Sequence, residues 1–232
     1  MPDIGVALLY FAVFLFSTTL HEAAHAWAAL RGGDPTAYHG GQVSLDPWPH
    51  VRREPFGMVV LPLISVLIAG WPLGFASAPY DPTWAERHPR RAAWMALAGP
   101  ASNFALVLLA GGLLRVGALA GVFTAPESIT FGALAAADLA HWETIGRVLS
   151  VVFSLNLLLT AFNLLPLPPL DGSAVLALGL APETARRYQG FLRGTPMLGW
   201  IGLYAAWQLF DVVFDPIFTG AASLLYPGVT YG

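Results

Sequence analysis

The sequence predicts a polytopic α-helical membrane protein, with about four transmembrane helices, a membrane-embedded hairpin and short β-strands near the cytoplasmic face. Three observations predict it. Hydrophobic residues make up 56% of the 232 positions and charged residues only 11%, whereas a soluble domain carries roughly 25% charge to cover itself. Four apolar stretches reach the length of about 20 residues that crosses a hydrocarbon core of about 30 Å. The arginines are also distributed very unevenly between the connecting segments.

In chain order, residues 4–30 read as one helix whose first part has no charged side chain and whose second part is HEAAHAWAAL. Arg31-Gly32-Gly33 ends it. Residues 34–56 are polar and punctuated by Pro and Gly, with enough alternation at 41–46 to predict a short strand. Residues 57–74 are apolar but interrupted by Pro62, Gly70, Pro72 and Gly74, and 75–81 again read as extended. Further spans follow at 92–114, 148–165 and 197–214. Between them lie a small-residue segment at 115–143, a Pro-rich stretch leading to Asp171-Gly172, and a surface helix at 182–193.

Arginine placement orients this arrangement. If the first helix runs inward, Arg31, Arg52, Arg53, Arg87, Arg90, Arg91, Arg186, Arg187 and Arg193 fall inside, and only Arg115 and Arg147 fall outside. That count requires both ends of 57–74 on the cytoplasmic side, so the stretch reads as a re-entrant hairpin. Broken backbone at membrane depth is tolerated where it lines a protein cavity.

Composition also excludes. A net charge of −3 without a polybasic run gives no support to nucleic-acid binding. All eleven basic residues are Arg, and there is no Cys, so any metal must be held by His and carboxylate. No basic segment precedes the first apolar run, which argues against a cleaved signal peptide. No internal repeat supports an inverted-repeat transporter.

The chemistry concentrates in His21-Glu22-Ala23-Ala24-His25, which fits H-E-x-x-H. Four residues is slightly more than a helical turn, so both imidazoles share one face and can hold one tetrahedral ion. Glu22, beside that face, is placed to take the proton of an attacking water. Five letters are weak evidence, but two His and a Glu in an apolar span are costly unless paired, metal-bound or lining a cavity. A proton-relay cluster is the alternative.

Two His leave a catalytic zinc one protein ligand short. Asp171 is the candidate third, since Pro166, Pro168 and Pro169 unwind the chain before it and Gly172 lets it turn. The plain alternative is an Asp-Gly interfacial turn.

Four ordered blocks now resemble the site-2 proteases: HEAAHAWAALRGGDPTA, GGQVSLDPWPH, LAGPASN and FNLLPLPPLDG. The resemblance covers about residues 20 to 174. It implies one zinc ion held by His21, His25 and Asp171, with Glu22 as general base. It further implies that Asn163 orients the substrate backbone and that Asn103 helps stabilise substrate or oxyanion. For Asn103 the alternative is a residue that joins packed helices through its amide. Where similar proteins have a Gly-Trp-Ala-Lys-Pro-Val-like segment, this chain has Gly74-Phe-Ala-Ser-Ala-Pro79, without the Lys. Neither a PDZ-like nor a CBS-like domain fits the remaining length, so residues 1–232 read as a single protease domain. Its core is 4–174, followed by an amphipathic segment and last span over 182–226.

The expected activity is hydrolysis of peptide bonds in or near transmembrane segments of other proteins. Stretches 41–46 and 75–81 would present a strand edge to the unwound substrate. The partners are then a membrane-protein substrate and the lipid bilayer, with a homo-oligomer or regulatory membrane partner left open. The compact form suggests a prokaryotic plasma membrane with the site toward the cytoplasm. Rival readings are a non-catalytic membrane scaffold, which has no need of Glu22, and a metal or proton transporter, which needs a polar path on both sides. His39, His50, His88 and His141 read as surface or interfacial residues. Trp142, Trp200, Trp207 and Tyr226 read as interfacial anchors, and Asp211 and Asp215 as lying near the outer end of the last span.

Overall fold

The computed structural model describes residues 4–229. Helices dominate, and among the described residues four are long and apolar enough to cross a membrane: α1 (Ile4–Gly32), α6 (Pro89–Leu119), α7 (Ala140–Asn163) and α10 (Met197–Leu225). This is an integral membrane protein. Each helix is longer than its predicted span, because apolar composition marks only the part suited to lipid while the backbone ladder continues into the flanks, although α7 stops at Asn163, two residues short of the predicted end.

Short elements fill the connections: α2 (Thr36–His39), α3 (Pro47–Arg53), α4 (Leu61–Ala69), α5 (Pro82–Arg87), α8 (Asp171–Val175) and α9 (Pro182–Gly194). Asp46 and Asp81 start α3 and α5 by accepting from the backbone N–H groups of Trp48 and Thr83. The H-bonds from Thr83 hold the Asp81 carboxyl below its ordinary range. Helix α9 docks beneath the start of α6, where Gln189 Nε2 donates to the Pro89 carbonyl at 3.0 Å.

The bundle is built on α1, α6 and α7. Phe14, Val151 and Leu155 pack α1 against α7, and Val107, Leu114, Phe153 and Leu157 pack α6 against α7. Helix α10 lies outside this trio and touches it through Phe214, Ala222 and Leu225.

The two predicted strands do not form. Among the described residues the only β-pairs are isolated bridges, Thr124 with Ala136 and Thr130 with Ala133. Residues 41–46 bend instead, because Asp46 and Ser44 bond locally around the start of α3. Residues 72–81 do run without helix or turn, but they pair with no strand among the described residues.

The broken apolar stretch is a π-turn (Phe56–Val60) continuing into α4. At 1.5 Å per residue the helical part reaches only about 20 Å, too short to cross. Gly70, at φ 81°, ends it in the left-handed conformation that glycine adopts without strain. The chain then comes back, and Phe75 N donates to Gly57 O at 3.1 Å.

Other expectations also change. His50 is buried, not at the surface, with Nε2 3.0 Å from the Ser44 carbonyl; His39 and His141 are exposed and His88 half-buried. Tyr226 is buried in the cluster around Phe214 and is no interfacial anchor. Because α10 continues to Leu225, Asp211 and Asp215 lie in its body, not at its end.

Candidate metal centre

The site assembles from three elements. Helix α1 supplies His21, Glu22 and His25, all buried. Helix α6 passes behind them, and the Pro-rich loop before α8 delivers Asp171. The spacing does what the helical period demands: the two Nε2 atoms lie 2.9 Å apart, with rings edge to face. Asp171 Oδ2 lies 3.1 Å from His21 Nε2 and 3.4 Å from His25 Nε2. Tetrahedral zinc with bonds of about 2.0–2.1 Å requires neighbouring donors about 3.3 Å apart. The three separations bracket that value.

Donor chemistry agrees with the distances. His25 Nδ1 faces the Met95 carbonyl at 2.7 Å. A carbonyl only accepts, so Nδ1 carries the hydrogen and Nε2 keeps its lone pair. Electron-rich atoms this close repel unless a cation or protons lie between them.

Space for an ion is kept by one glycine. A Cβ on Gly99 of α6 would fall on Nε2 of both His21 and His25. Glu22 Oε2, buried beside them, has no hydrogen-bond partner among the described residues. His21, His25 and Asp171 can therefore hold a metal.

Asp171 begins α8, and its neighbour Gly172 matters for a reason other than the predicted one. A Cβ there would strike the carbonyls of Leu164 and Leu165, so glycine permits close approach of the loop, not an unusual dihedral. Asn163, the last residue of α7, is not drawn into the cluster; its amide donates to the Leu159 carbonyl of its own helix at 3.0 Å. Asn103 does join it, with Oδ1 2.5 Å from His21 Nδ1. Both hydrogens of its amide are already engaged, by the Ser17 carbonyl and by Asn156 Oδ1. Gly99 lies four residues before Asn103 in the LAGPASN block, a helical spacing that puts both on the face toward the ligands.

A polytopic bundle with a two-His, one-carboxylate metal group inside its helices defines a membrane metallopeptidase architecture. The profile of peptidase family M50 matches residues 9–190, and the chain belongs to that family, the site-2 proteases, whose metal is zinc. It is 29% identical to "Putative zinc metalloprotease YwhC" of Bacillus subtilis (strain 168), over 98% of this chain and 94% of that one. It is 36% identical to "Putative zinc metalloprotease Rip2" of Mycobacterium tuberculosis (strain ATCC 25618 / H37Rv), over 78% of this chain and 61% of Rip2. No solved structure matches it.

Proposed function

We propose that this chain is an intramembrane zinc endopeptidase that cuts peptide bonds in or near transmembrane segments of protein substrates. The observation that carries the reading is the convergence of His21, His25 and Asp171 around the space left by Gly99, with the unpartnered Glu22 Oε2 alongside. Zinc, when bound, polarises the scissile carbonyl and acidifies a water. Glu22 is the general base, receiving the water's proton at Oε2 and passing it to the departing amide nitrogen. Asn163, at the mouth of the Pro-rich loop, is proposed to contact the substrate backbone.

Residues 72–81 supply a place to hold an unwound substrate. Consecutive residues of an extended chain turn their backbone groups to opposite edges. Here the anchored groups are Leu73 N to Ser65 Oγ, Phe75 N to Gly57 O, Ser77 O from Arg53 Nε, and Asp81 N to Asp34 Oδ2. All are odd-numbered and so share one edge. The edge of Gly74, Ala76, Ala78 and Tyr80 stays available for strand addition, which supports a substrate-binding role for this segment without the predicted sheet.

The nine-to-two arginine split supports a plasma-membrane orientation with the site toward the cytoplasm, and the short returning α4 supports a re-entrant hairpin. A non-catalytic scaffold would leave the buried Glu22 carboxylate without purpose.

The decisive test compares wild type with Glu22→Gln in lipid nanodiscs, measuring bound zinc and cleavage of a reporter transmembrane segment. Zinc content should be equal and cleavage about 10²–10⁴-fold slower in the variant. Unchanged cleavage would remove the mechanism.

A further inference from the structure

Three polar side chains lie fully buried where α1, α6 and α7 meet: Ser17, Asn103 and Asn156. Uncompensated polar groups at such a crossing are costly, so their pairing calls for a complete account. Asn156 Nδ2 approaches the Val152 carbonyl at 2.8 Å and Ser17 Oγ at 3.0 Å. Asn103 Nδ2 approaches the Ser17 carbonyl at 3.3 Å and Asn156 Oδ1 at 2.8 Å.

Two backbone carbonyls give this chain a direction. Val152 O can only accept, so the atom of Asn156 that faces it is the NH2, and Asn156 Oδ1 is turned toward Asn103. Ser17 O can only accept as well, so it too must meet the NH2 of Asn103. The atom of Asn103 left for His21 is then its oxygen. An amide oxygen must be met by an N–H, which puts the hydrogen of His21 on Nδ1 and leaves the lone pair on Nε2. The ring presents that lone pair to the place where His25 and Asp171 converge.

Helix joining alone would be satisfied by any pairing of these amides. It does not require the chain to end on a ring nitrogen of a candidate metal ligand. We propose that Asn156 is a positioning residue that acts through Asn103 to fix the tautomer and ring orientation of His21 for metal binding. The proposal rests on the zinc-site reading above. It assigns a role in the metal centre to a residue of α7, a helix that contributes no ligand.

The test uses the full chain in nanodiscs, stripped of metal with a chelator. Zinc affinity is measured by competition, and the visible spectrum of the Co²⁺-loaded protein reports ligand geometry. Asn103→Leu should bind zinc about 10–100-fold more weakly than wild type, the usual range for losing the outer partner of a metal-bound His. Asn103→Asp keeps an acceptor for His21 Nδ1 and should bind at least about tenfold more tightly than Asn103→Leu. Helix joining predicts no such rescue, because Asp loses both amide donors. Asn156→Leu should weaken zinc by about three- to tenfold and shift the Co²⁺ spectrum. Where a Leu variant does not give monodisperse protein, the Ala variant at the same position takes its place.

The proposal is overturned if Asn103→Asp binds no better than Asn103→Leu. It is equally overturned if the folded Asn156 variant keeps wild-type affinity and spectrum. A wild-type chain that binds no zinc would overturn the zinc-site reading itself, a separate outcome.

Discussion

Helices α7 and α10 are both long and apolar, yet the molecule uses them in opposite ways. Half of the most apolar stretch of α7 is buried, against 17% of that of α10. Along its inward face α7 carries Ser150, Asn156 and Thr160, buried polar residues that bond to Leu134, Ser17 and Pro100, whereas α10 turns Trp200, Val212 and Leu224 outward. Buried polar groups in an apolar helix must find partners, so they fix neighbours and angles; outward apolar groups need only lipid. The α1–α6–α7 trio is therefore organised for geometry and α10 for span. Where α10 does meet the site region it does so by shape: Gly202 packs directly on the Pro168 carbonyl, and Trp207 stacks on Trp71 at 17°.

This contrast can be broken by matched glycine substitutions. Gly99→Ala in α6 places a methyl on the two Nε2 atoms, and it should abolish stoichiometric zinc binding and, with it, proteolysis. Metal analysis of the purified variant checks this, and retained zinc would show that the centre relaxes around a methyl group. A smaller effect is expected at the returning segment. Ala76→Pro removes one N–H from the free edge and touches none of the anchored groups, so cleavage should slow by about tenfold with zinc content unchanged. Equal loss of zinc and activity would make the segment a structural prop. The smallest effect belongs to α10. A Cβ at Gly220 meets no other group, so Gly220→Ala should leave zinc and cleavage at wild-type levels. It should also raise stability by roughly 0.5–1 kcal/mol through reduced backbone freedom. A loss of zinc there would erase the distinction between trio and outer helix.

What was legible in the sequence follows one rule. Features that depend on neighbours in the chain could be read directly: four spans from apolar runs, one shared face from the spacing of His21 and His25, and unwinding before Asp171 from three prolines. The strands at 41–46 and 75–81 were misjudged because alternation records a local preference, while a strand needs a partner edge, and none is folded beside them. His50 was misplaced for a similar reason. Histidine in a polar loop reads as surface, and only packing could bury it. The partners of Asn103 could not be read from the chain, because Ser17, His21 and Asn156 come from two other helices.

The sequence alone therefore determined the chemistry on offer: a membrane chain without Cys, with H-E-x-x-H in its first helix and one Asp after a proline-broken span. Local periodicity and hydropathy suffice for that, since they act over a few residues. Tertiary structure decided which groups converge. It brought Asp171 across 150 positions to the histidines, set Gly99 opposite them to keep the space open, and turned Asn103 toward His21. Those outcomes depend on how α1, α6 and α7 cross, and a crossing is fixed by the joint packing of all three faces, which no single stretch of sequence contains.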